Sequence, residues 1–541
     1  MEIELPPISE AERTPVVVAL LGVIDALRQQ VRTLEETVQK LRDEIAILKG
    51  QKPKPTIAPS QLEKPEPKPK VDGTKRPGSE KRSKKAAPLL QPEEQLVFYL
   101  DAPPGSMFKC YESYDVQELV ISGKLTRYLR ERIQLSDGRT LLAPLPIDVI
   151  PGSHFGPVLI SYILNQYHQC NVTQPLLLEQ LLEWGIEISS GQLSHILTED
   201  KEAFHQEKAD ILTVGLDVSP YIGVDDTGAR HDGKNGFCTA IANDLFAYFE
   251  STNSKSRVNF LKVLRGRGRG YAINDAAVAY WTRQNMSQEC LEKLSAGPSC
   301  FVGDATWQAY MLELGLGERL VKIATEGALL GVLIELGVSP DLVVLSDGAQ
   351  QFEIFVHASC WVHIERPLAR IIPYNEAHRE AIEQVRQQIW ELYKDLKVYR
   401  EKPDPAAKAT LEARFDALAG QPTVYTTSIG HVLKEMRDYR ADLLRVLDRP
   451  EVPLHNNGTE SVIRGYVKTR KISGSTRSDD GRRCRDTFTS LKKTCRKLGV
   501  SFWAYLLDRV RGVEEIPRLP DLIRQKVSKA ASPTPVEAVL T

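Results

Sequence analysis

The stretch Tyr221-Ile222-Gly223-Val224-Asp225-Asp226, together with the apolar runs that follow it, determines the fold that we expect for this chain. Phe237–Ala242 and Leu245–Phe249 are the next two runs, and a tight Asn243-Asp244 turn separates them. Short apolar runs joined by turns of this kind predict an antiparallel meander of three strands. The first strand is expected to end at Asp225, which would place a carboxylate at the edge of a sheet.

Two more acids stand out later in the chain. Asp347 follows the buried-strand pattern Leu342–Ser346, and Glu460 ends the segment Leu454-His455-Asn456-Asn457-Gly458-Thr459-Glu460. Twelve Lys or Arg but only three Asp lie between residues 464 and 497. Three carboxylates from different elements, with dense positive charge beside the last one, are typical of a two-metal site for phosphoryl transfer on a nucleic acid.

The composition limits the classes of protein that the chain can represent. Its 541 residues predict three or more units, and a hydrophobic fraction of 42% allows sizeable cores. The formal net charge is -1, so only local clusters of charge point to nucleic acid. The acidic start Met1-Glu2-Ile3-Glu4 does not indicate a signal peptide, and the apolar runs are too short to span a bilayer. The scattered cysteines form no CxxC pair, which favours reduced thiols in a cytosolic protein.

Composition and periodicity divide the chain into six segments. Apolar residues at heptad spacing over 15–50 predict a parallel two-stranded coiled coil, although an amphipathic helix packed on the body would show the same pattern. The Pro- and Lys-rich segment 51–92 is expected to be a disordered basic linker. A small β-containing module, a helical module resembling a helix-turn-helix, a catalytic core and a C-terminal tail are expected at 93–150, 151–205, 211–512 and 513–541. Strand-like periodicity begins at Ile211, where the core is expected to start.

Four motifs occur in an order that resembles bacterial transposases of the insertion-sequence-sixty-six family. They are Val224-Asp225-Asp226-Thr227-Gly228, Ser346-Asp347-Gly348, Cys360-Trp361-Val362-His363 and Asn456-Asn457-Gly458-Thr459-Glu460. The resemblance covers most of the chain and implies an α/β multi-domain transposase of the DDE type. Its core would be ribonuclease-H-like (RNase H-like) with helical insertions. Asp225, Asp347 and Glu460 would be the catalytic residues and would bind two Mg²⁺ or Mn²⁺ ions.

The resemblance also implies the substrate, the partners and the location of the protein. The substrate would be double-stranded DNA, both the terminal repeats of the insertion sequence and the target. Cleavage at the element's ends would expose 3′-hydroxyl groups that then join to the target. We expect a homo-oligomer, a dimer through the coiled coil, together with accessory transposition proteins. The expected location is the bacterial cytoplasm, at the nucleoid and without a membrane.

A dense basic set after Glu460 has too few acids around it for an ordinary surface with salt bridges, and it predicts contact with the phosphate backbone. The set consists of Arg464, Lys468, Arg470, Lys471, Arg477, Arg482, Arg483 and Arg485. Three further residues are expected to lie beside the metal ligands: Asp226, His363 and Asn457. Asn457 is also the candidate cap of a helix that carries Glu460 in its first turn.

Each of the three acids has an alternative. Asp226 is adjacent to Asp225, but consecutive strand residues face opposite sides of a sheet, so only one of the two can point into the site. Asp304 also ends a strand-like run and is an alternative to Asp347. Glu460 has the simpler interpretation of a carboxylate that the helix dipole favours at a helix N-terminus.

The chain departs from the family's usual pattern at several positions. Asp226 and Ser461 stand where family members commonly have Glu and Arg, and only Cys110 lies where zinc-binding cysteines are usual. The CxxH spacing of Cys360 and His363 suits zinc, but without a second pair nearby it favours structural packing. These departures leave open a catalytically inactive, transposase-derived DNA-binding protein, or a coiled-coil scaffold. A glycosidase with paired carboxylates would need sugar-stacking aromatic residues near the acids, and few are present.

Overall fold

A five-stranded mixed sheet surrounded by helices forms the part of the chain that carries the predicted acids. The computed structural model describes residues 14–48, parts of 96–150, and residues 152–531 except Arg269. The linker predicted at 51–92 and residues 532–541 of the predicted tail lie outside the described residues. In the described ranges, no helix has the length and apolar character that crossing a membrane requires. The predicted α/β class is confirmed.

The heptad region forms one long helix, α1, which spans Pro15–Leu48. Most of its described apolar side chains are exposed to solvent: those of Leu20, Leu27 and Leu34 are 55%, 54% and 60% exposed, whereas Val17, Leu21 and Ile24 are half-buried. An apolar stripe that the rest of the chain does not cover is what a coiled coil needs from each of its helices. Pairing of α1 with a second chain stays a prediction.

A small hairpin and three short helices follow, in the segments where the sequence predicts a β-containing module and a helical module; these module boundaries stay predictions. The hairpin pairs β1 (Arg132–Gln134) with β2 (Thr140–Leu142). The helices are α2 (Pro157–His168), α3 (Gln174–Glu183) and α4 (Ser190–Thr198). Ser189 and Gln192 form a reciprocal capping box at the start of α4, which fixes where this helix begins. Recognition of DNA by this module stays a prediction.

The prediction that strand structure begins at Ile211 was wrong. A helix, α5, spans Glu202–Val218. Ile211, Leu212 and Leu216 are all buried. Two helices from the C-terminal end of the chain pack against α5, and a strand of the central sheet also contacts it. Apolar residues therefore occupy several faces of this helix, so its sequence lacks the one-sided apolar repeat by which a surface helix is recognised.

Seven strands follow α5. They are β3 (Tyr221–Gly228), β4 (Phe237–Ala242), β5 (Ala247–Thr252), β6 (Tyr271–Ala272), β7 (Cys300–Phe301), β8 (Val343–Ser346) and β9 (Val356–Ser359). The strands β6 and β7 form a separate antiparallel pair, and the other five form one sheet in the order β5-β4-β3-β8-β9. Neighbours among β3, β4 and β5 are antiparallel, which confirms the predicted meander. The strand β8 lies parallel to both β3 and β9.

The strand β3 continues past the point where the sequence suggested that it ends. It runs to Gly228, so Asp225 lies inside the strand. Pairing with β8 stops at Gly223, opposite Leu345, whereas pairing with β4 continues to the end of β3. Asp225 therefore lies where β3 has lost its parallel neighbour, near the carboxyl end of β8. Asp347 follows directly after that end.

The remaining helices form two insertions and a C-terminal group. Between β5 and β8 lie α6 (Arg257–Arg265), α7 (Asp275–Arg283), α8 (Gln288–Ser295), α9 (Asp304–Glu313) and α10 (Glu318–Glu335). After β9 come α11 (Trp361–Arg370), α12 (Glu376–Glu401), α13 (Pro405–Gly420), α14 (Ile429–Asp438) and α15 (Arg440–Leu443). The C-terminal group is α16 (Asn457–Ser473), α17 (Asp479–Leu498), α18 (Phe502–Arg511) and α19 (Leu519–Ala531). Short 3₁₀ turns span Gln350–Phe352 and Arg445–Leu447.

Helix α16 packs across one face of the meander. Val462 and Tyr466 of this helix share a buried cluster with Ala240 and Phe249. The rings of Tyr466 and Phe249 are stacked with their centroids 5.7 Å apart. Burial of apolar surface between the helix and the sheet holds α16 in place, and with it the residue Glu460 in its first turn.

Gly223 lets α16 approach β3 closely, and we predict that Gly223→Ala destabilises this contact. A Cβ at residue 223 would lie 2.5 Å from Asn456 Oδ1 and would collide with Thr459 Oγ1. Overpacking of this kind costs about 1–3 kcal/mol, so we expect the midpoint of thermal unfolding to fall by a few degrees. The matched control is Gly458→Ala, where an added methyl group meets nothing within 4 Å. Equal destabilisation by both substitutions would contradict this explanation.

Candidate active site

A pocket at the edge of the sheet contains all three predicted acids. It has a volume of about 230 Å³. Its lining residues are Asp225, Asp347, His363, Arg366, Asn456, Glu460, Ile463 and Arg464. The acids come from three separate elements: the middle of β3, the segment after β8 and the first turn of α16. The fold therefore brings together carboxylates that are far apart in the sequence.

Asp225 is a partly buried carboxylate in a negatively charged environment. Its Oδ1 accepts a hydrogen bond of 2.8 Å from the backbone N–H of Asp226. Burial, followed by the negative charge of Asp347, raises the pKa of Asp225 to about 6, and Glu460 contributes in the same direction. A raised pKa shows that the surrounding protein does not compensate this charge.

Asp347 projects from the carboxyl end of β8, and a chain of buried hydrogen bonds fixes that end. Ser346 Oγ lies 2.8 Å from His357 Nε2, and His357 Nδ1 lies 2.8 Å from Asp442 Oδ2. Gly348 follows with a φ of 89°, a conformation that favours glycine, and its N–H donates to Ser346 Oγ at 3.1 Å. These hydrogen bonds could not be predicted from the sequence, because Asp442 lies 85 residues beyond His357.

Asn456, which the sequence analysis did not select, anchors the helix that carries Glu460. Its Nδ2 donates to the carbonyl oxygen of Val224 at 2.7 Å, directly before Asp225 on β3. The prediction that Asn457 caps the helix was wrong by one residue: α16 begins at Asn457, and Asn456 is its N-cap. Asn456 takes the N-cap position because its side-chain amide is hydrogen-bonded to strand β3. The adjacent asparagines were a signal for such a contact, but they did not show which one makes it.

Glu460 lies in the pocket with its two oxygens in different environments. Oε2 accepts a hydrogen bond of 3.2 Å from Arg464. Oε1 is buried and has no hydrogen-bond partner among the described residues. His363 Nε2 and Arg366 Nη2 each lie 3.9 Å from Oε1. His363 and Arg366 also contact each other, at 3.1 Å between Nε2 and Nη1. His363 thus lies beside Glu460, and its role next to a metal ligand stays a prediction.

The alternative acids make other contacts. Asp226 accepts hydrogen bonds from Thr239 Oγ1 at 2.5 Å and from Gln351 Nε2 at 3.2 Å, and it is not among the residues that line the pocket. Asp304 begins α9, beside the small β6–β7 pair, and forms an ion pair with Lys262 at 2.5 Å. Both carboxylates therefore have structural partners where they lie.

The basic set divides into exposed and structural members. Arg464 is 76% exposed at the rim of the pocket. Arg470 donates to Thr227 Oγ1 at 3.4 Å. Lys468, Lys471 and Arg477 are exposed. Arg482 forms an ion pair with Asp479, and Arg483 forms one with Glu202.

Arg485 does not fit the predicted contact with phosphate. Its side chain is buried, and it donates to the carbonyl oxygen of Gly474 and to Ser473 Oγ. It holds the turn between α16 and α17 together. We therefore withdraw Arg485 from the predicted phosphate contacts.

Comparison with known proteins agrees with the motifs that line the pocket. A family model described as "Transposase IS66 family" matches residues 343–483, a range that includes Asp347 and Glu460 and begins after Asp225. The uncharacterized protein y4jO of Sinorhizobium fredii (strain NBRC 101917 / NGR234) is 38% identical over 304 residues. That alignment covers 56% of this chain and 94% of the relative. The chain belongs to the IS66 family of transposases.

Proposed function

We propose that the protein is a DNA transposase of the DDE type that cleaves the ends of an insertion sequence and joins them to target DNA. The observation that carries this proposal is the meeting of Asp225, Asp347 and Glu460 in one pocket. Membership of a transposase family supports the reaction class. The sheet order, with its three-stranded meander followed by two parallel strands, supports an RNase H-like core.

The residues of the pocket fit divalent cations such as Mg²⁺ or Mn²⁺. Carboxylate oxygens are the hard ligands that these ions prefer. The pKa of Asp225 is raised to about 6, and the buried Glu460 Oε1 accepts no hydrogen bond from the described residues, with Arg366 Nη2 no closer than 3.9 Å; both indicate negative charge that a cation would compensate. Asp225, Asp347 and Glu460 would hold two ions. When bound, such ions lower the pKa of a water or hydroxyl nucleophile and stabilise the leaving oxygen at phosphorus.

The chain's own residues would position the DNA and the carboxylates. Asn456 ties α16 to β3 and thereby fixes Glu460 relative to Asp225. Arg366 and Arg464 line the pocket and would bind the charged oxygens of the reacting phosphate. Positioning and charge stabilisation are the main contributions that a protein makes to phosphoryl transfer.

The exposed cations near the pocket would bind the backbone of double-stranded DNA. Arg464, Lys468 and Lys471 lie along α16, and Arg477 follows in the turn after it. Contacts of this type bind DNA irrespective of sequence, so recognition of the element's ends would fall to other parts, with the helical module α2–α4 as the candidate. We also propose dimerisation through α1, participation of accessory proteins and a place at the bacterial nucleoid.

We predict that Asp225→Asn, Asp347→Asn and Glu460→Gln each abolish metal-dependent cleavage. Loss of a carboxylate that holds the ions should reduce nicking and joining of terminal-repeat DNA by about a thousandfold or more, measured with Mg²⁺ or Mn²⁺. Binding of the same DNA should survive. The matched control is Asp304→Asn, which removes an acid outside the pocket. A wild-type chain that binds the ends but never cuts them, even with accessory proteins, would favour the inactive DNA-binding alternative.

Asp225→Asn is also predicted to stabilise the protein when cations are removed by EDTA. The pKa of Asp225 is raised to about 6, so its charge destabilises the folded state above that pH and has no such effect below about pH 4. We expect a gain of about 1 kcal/mol near pH 8 that disappears as the pH falls to 4. Mn²⁺ should raise the unfolding temperature of the wild type and not that of the variant. Unchanged stability of Asp225→Asn across this pH range would contradict the electrostatic interpretation.

The exposed lysines of α16 are predicted to contribute to DNA binding through their charge alone. Replacing both Lys468 and Lys471 by Ala should reduce the slope of log K against log salt concentration by about 2 and weaken binding to all duplexes alike. The slope is measured by fluorescence anisotropy with a terminal-repeat duplex and an unrelated duplex. The control is Lys402→Ala. Lys402 is exposed at the C-terminal end of α12 and does not line the pocket. An equal change in the control would show that bulk charge alone is responsible.

A further inference from the structure

We propose that Cys360, His363 and Glu460 form a binding site for a divalent cation of the zinc class. One ligand atom from each residue lies within 4.8 Å of the other two. In the part of the chain that the structure describes, this is the only such group of three or more His, Cys, Asp or Glu residues. Asp225, Asp347 and Glu460 do not form a group of that tightness.

Two buried polar atoms in this cluster have no hydrogen-bond partner among the described residues. They are His363 Nδ1 and Glu460 Oε1. A buried polar atom without a partner costs about 1–3 kcal/mol, so each requires an explanation. A cation bound by His363 Nδ1 and Glu460 Oε1 would give both atoms a partner; it requires the proton of the ring to lie on Nε2, and therefore requires Arg366 to leave Nε2. Simple packing of a CxxH segment, the interpretation that the sequence favours, leaves both atoms unexplained.

The environment of Cys360 suits a metal-bound thiolate. Its side chain is 1% exposed, and its Sγ accepts the backbone N–H of Asn456 at 3.2 Å. Burial raises the pKa of the Cys360 thiol to about 11, and the backbone N–H groups of Asn456, Val362 and His363 partly oppose this rise. Hydrogen bonds from backbone N–H groups stabilise negative charge on a ligating sulfur. The sulfur is therefore placed and supported before any cation binds.

The set of donors selects the class of cation. One sulfur, one imidazole nitrogen and one carboxylate oxygen are ligands that Zn²⁺ accepts together, with a fourth position left for water. Mg²⁺ prefers oxygen ligands only and gains little from a thiol. Arg366 bonds His363 Nε2 at 3.1 Å and lies 3.9 Å from Glu460, so its guanidinium must move aside when a second positive charge enters.

Glu460 would belong to both metal sites. A zinc-class ion at Cys360 and His363 would withdraw Glu460 from Asp225 and Asp347, so micromolar Zn²⁺ should inhibit DNA cleavage in the presence of millimolar Mg²⁺. This consequence rests on the proposed function. Binding of the cation itself does not, because two of its three ligands lie outside the set of catalytic acids.

The test is titration of the metal-free, full-length protein with Co²⁺, a spectroscopic substitute for Zn²⁺. We expect a near-ultraviolet charge-transfer band from a thiolate–cobalt bond, saturating at one equivalent, displaced by Zn²⁺ and unaffected by Mg²⁺. Cys360→Ser should abolish the band. The matched control is Cys484→Ser, because Cys484 is also buried and its sulfur lies 4.0 Å from His205 Nε2 without a third ligand. Absence of the band in the wild type, or its persistence in Cys360→Ser, would overturn the proposal.

Two further variants keep the result interpretable. Cys360 is buried, so Cys360→Ser is checked by its unfolding temperature; if that variant does not fold, His363→Ala must weaken Co²⁺ binding at least about tenfold. Unchanged Co²⁺ affinity of His363→Ala would then overturn the proposal. Asp347→Asn should lose DNA cleavage and keep the cobalt band. A variant Asp347→Asn that still cleaves would refute the proposed catalytic acids and leave the zinc-class site standing.

Discussion

The contact between the start of α16 and strand β3 is the constraint on which the candidate site depends. The Asn456 amide donates to the Val224 carbonyl oxygen at 2.7 Å, and Gly223 beside it has no side chain to hold the helix away. Thr459 Oγ1 lies 3.5 Å from the carbonyl oxygen of Ala242 on the next strand. These polar contacts set the register of the helix on the sheet, whereas the apolar cluster around Tyr466 supplies adhesion without specifying the register. The distance between Glu460 and Asp225 therefore depends on these few contacts.

The same contact creates an electrostatic cost. It brings the carboxylate of Glu460 into the pocket that already holds Asp225 and Asp347. The pKa of Asp225 is raised to about 6, chiefly by burial, then by the charge of Asp347, with a further contribution from Glu460. Arg464 offsets part of the charge of Glu460, but it is mostly exposed and screened by solvent. A pocket with uncompensated negative charge lowers the stability of the empty protein and favours binding of cations. Perturbed carboxyl groups of this kind are typical of functional sites, where stability is lost in favour of binding.

Local pattern was enough to predict part of this structure. The meander, the strand before Asp347, the helices of the N-terminal module and the order of the acids follow from short apolar runs and from the resemblance to a family. What the sequence did not show depends on distant contacts. Ile211 lies on a helix because other elements bury several of its faces, and β3 extends beyond Asp225 because β4 continues to pair with it after β8 has stopped. The buried state of Arg485 likewise depends on the turn that it holds together.

Glu460 belongs to both proposed cation sites, and the packing of α16 on the sheet fixes its position. It lines one pocket with Asp225 and Asp347, and a carboxylate oxygen of Glu460 lies within 4.8 Å of ligand atoms of Cys360 and His363. Because Cys360 Sγ accepts the backbone N–H of Asn456, the sulfur is fixed by the same residue that fixes the helix to the sheet. Both proposed sets of ligands thus depend on Asn456 for their position and share the carboxylate of Glu460. Under the two proposals, a cation bound by Glu460, Cys360 and His363 would compete for Glu460 with cations bound by Asp225 and Asp347, and the hardness of the cation would decide which set it occupies.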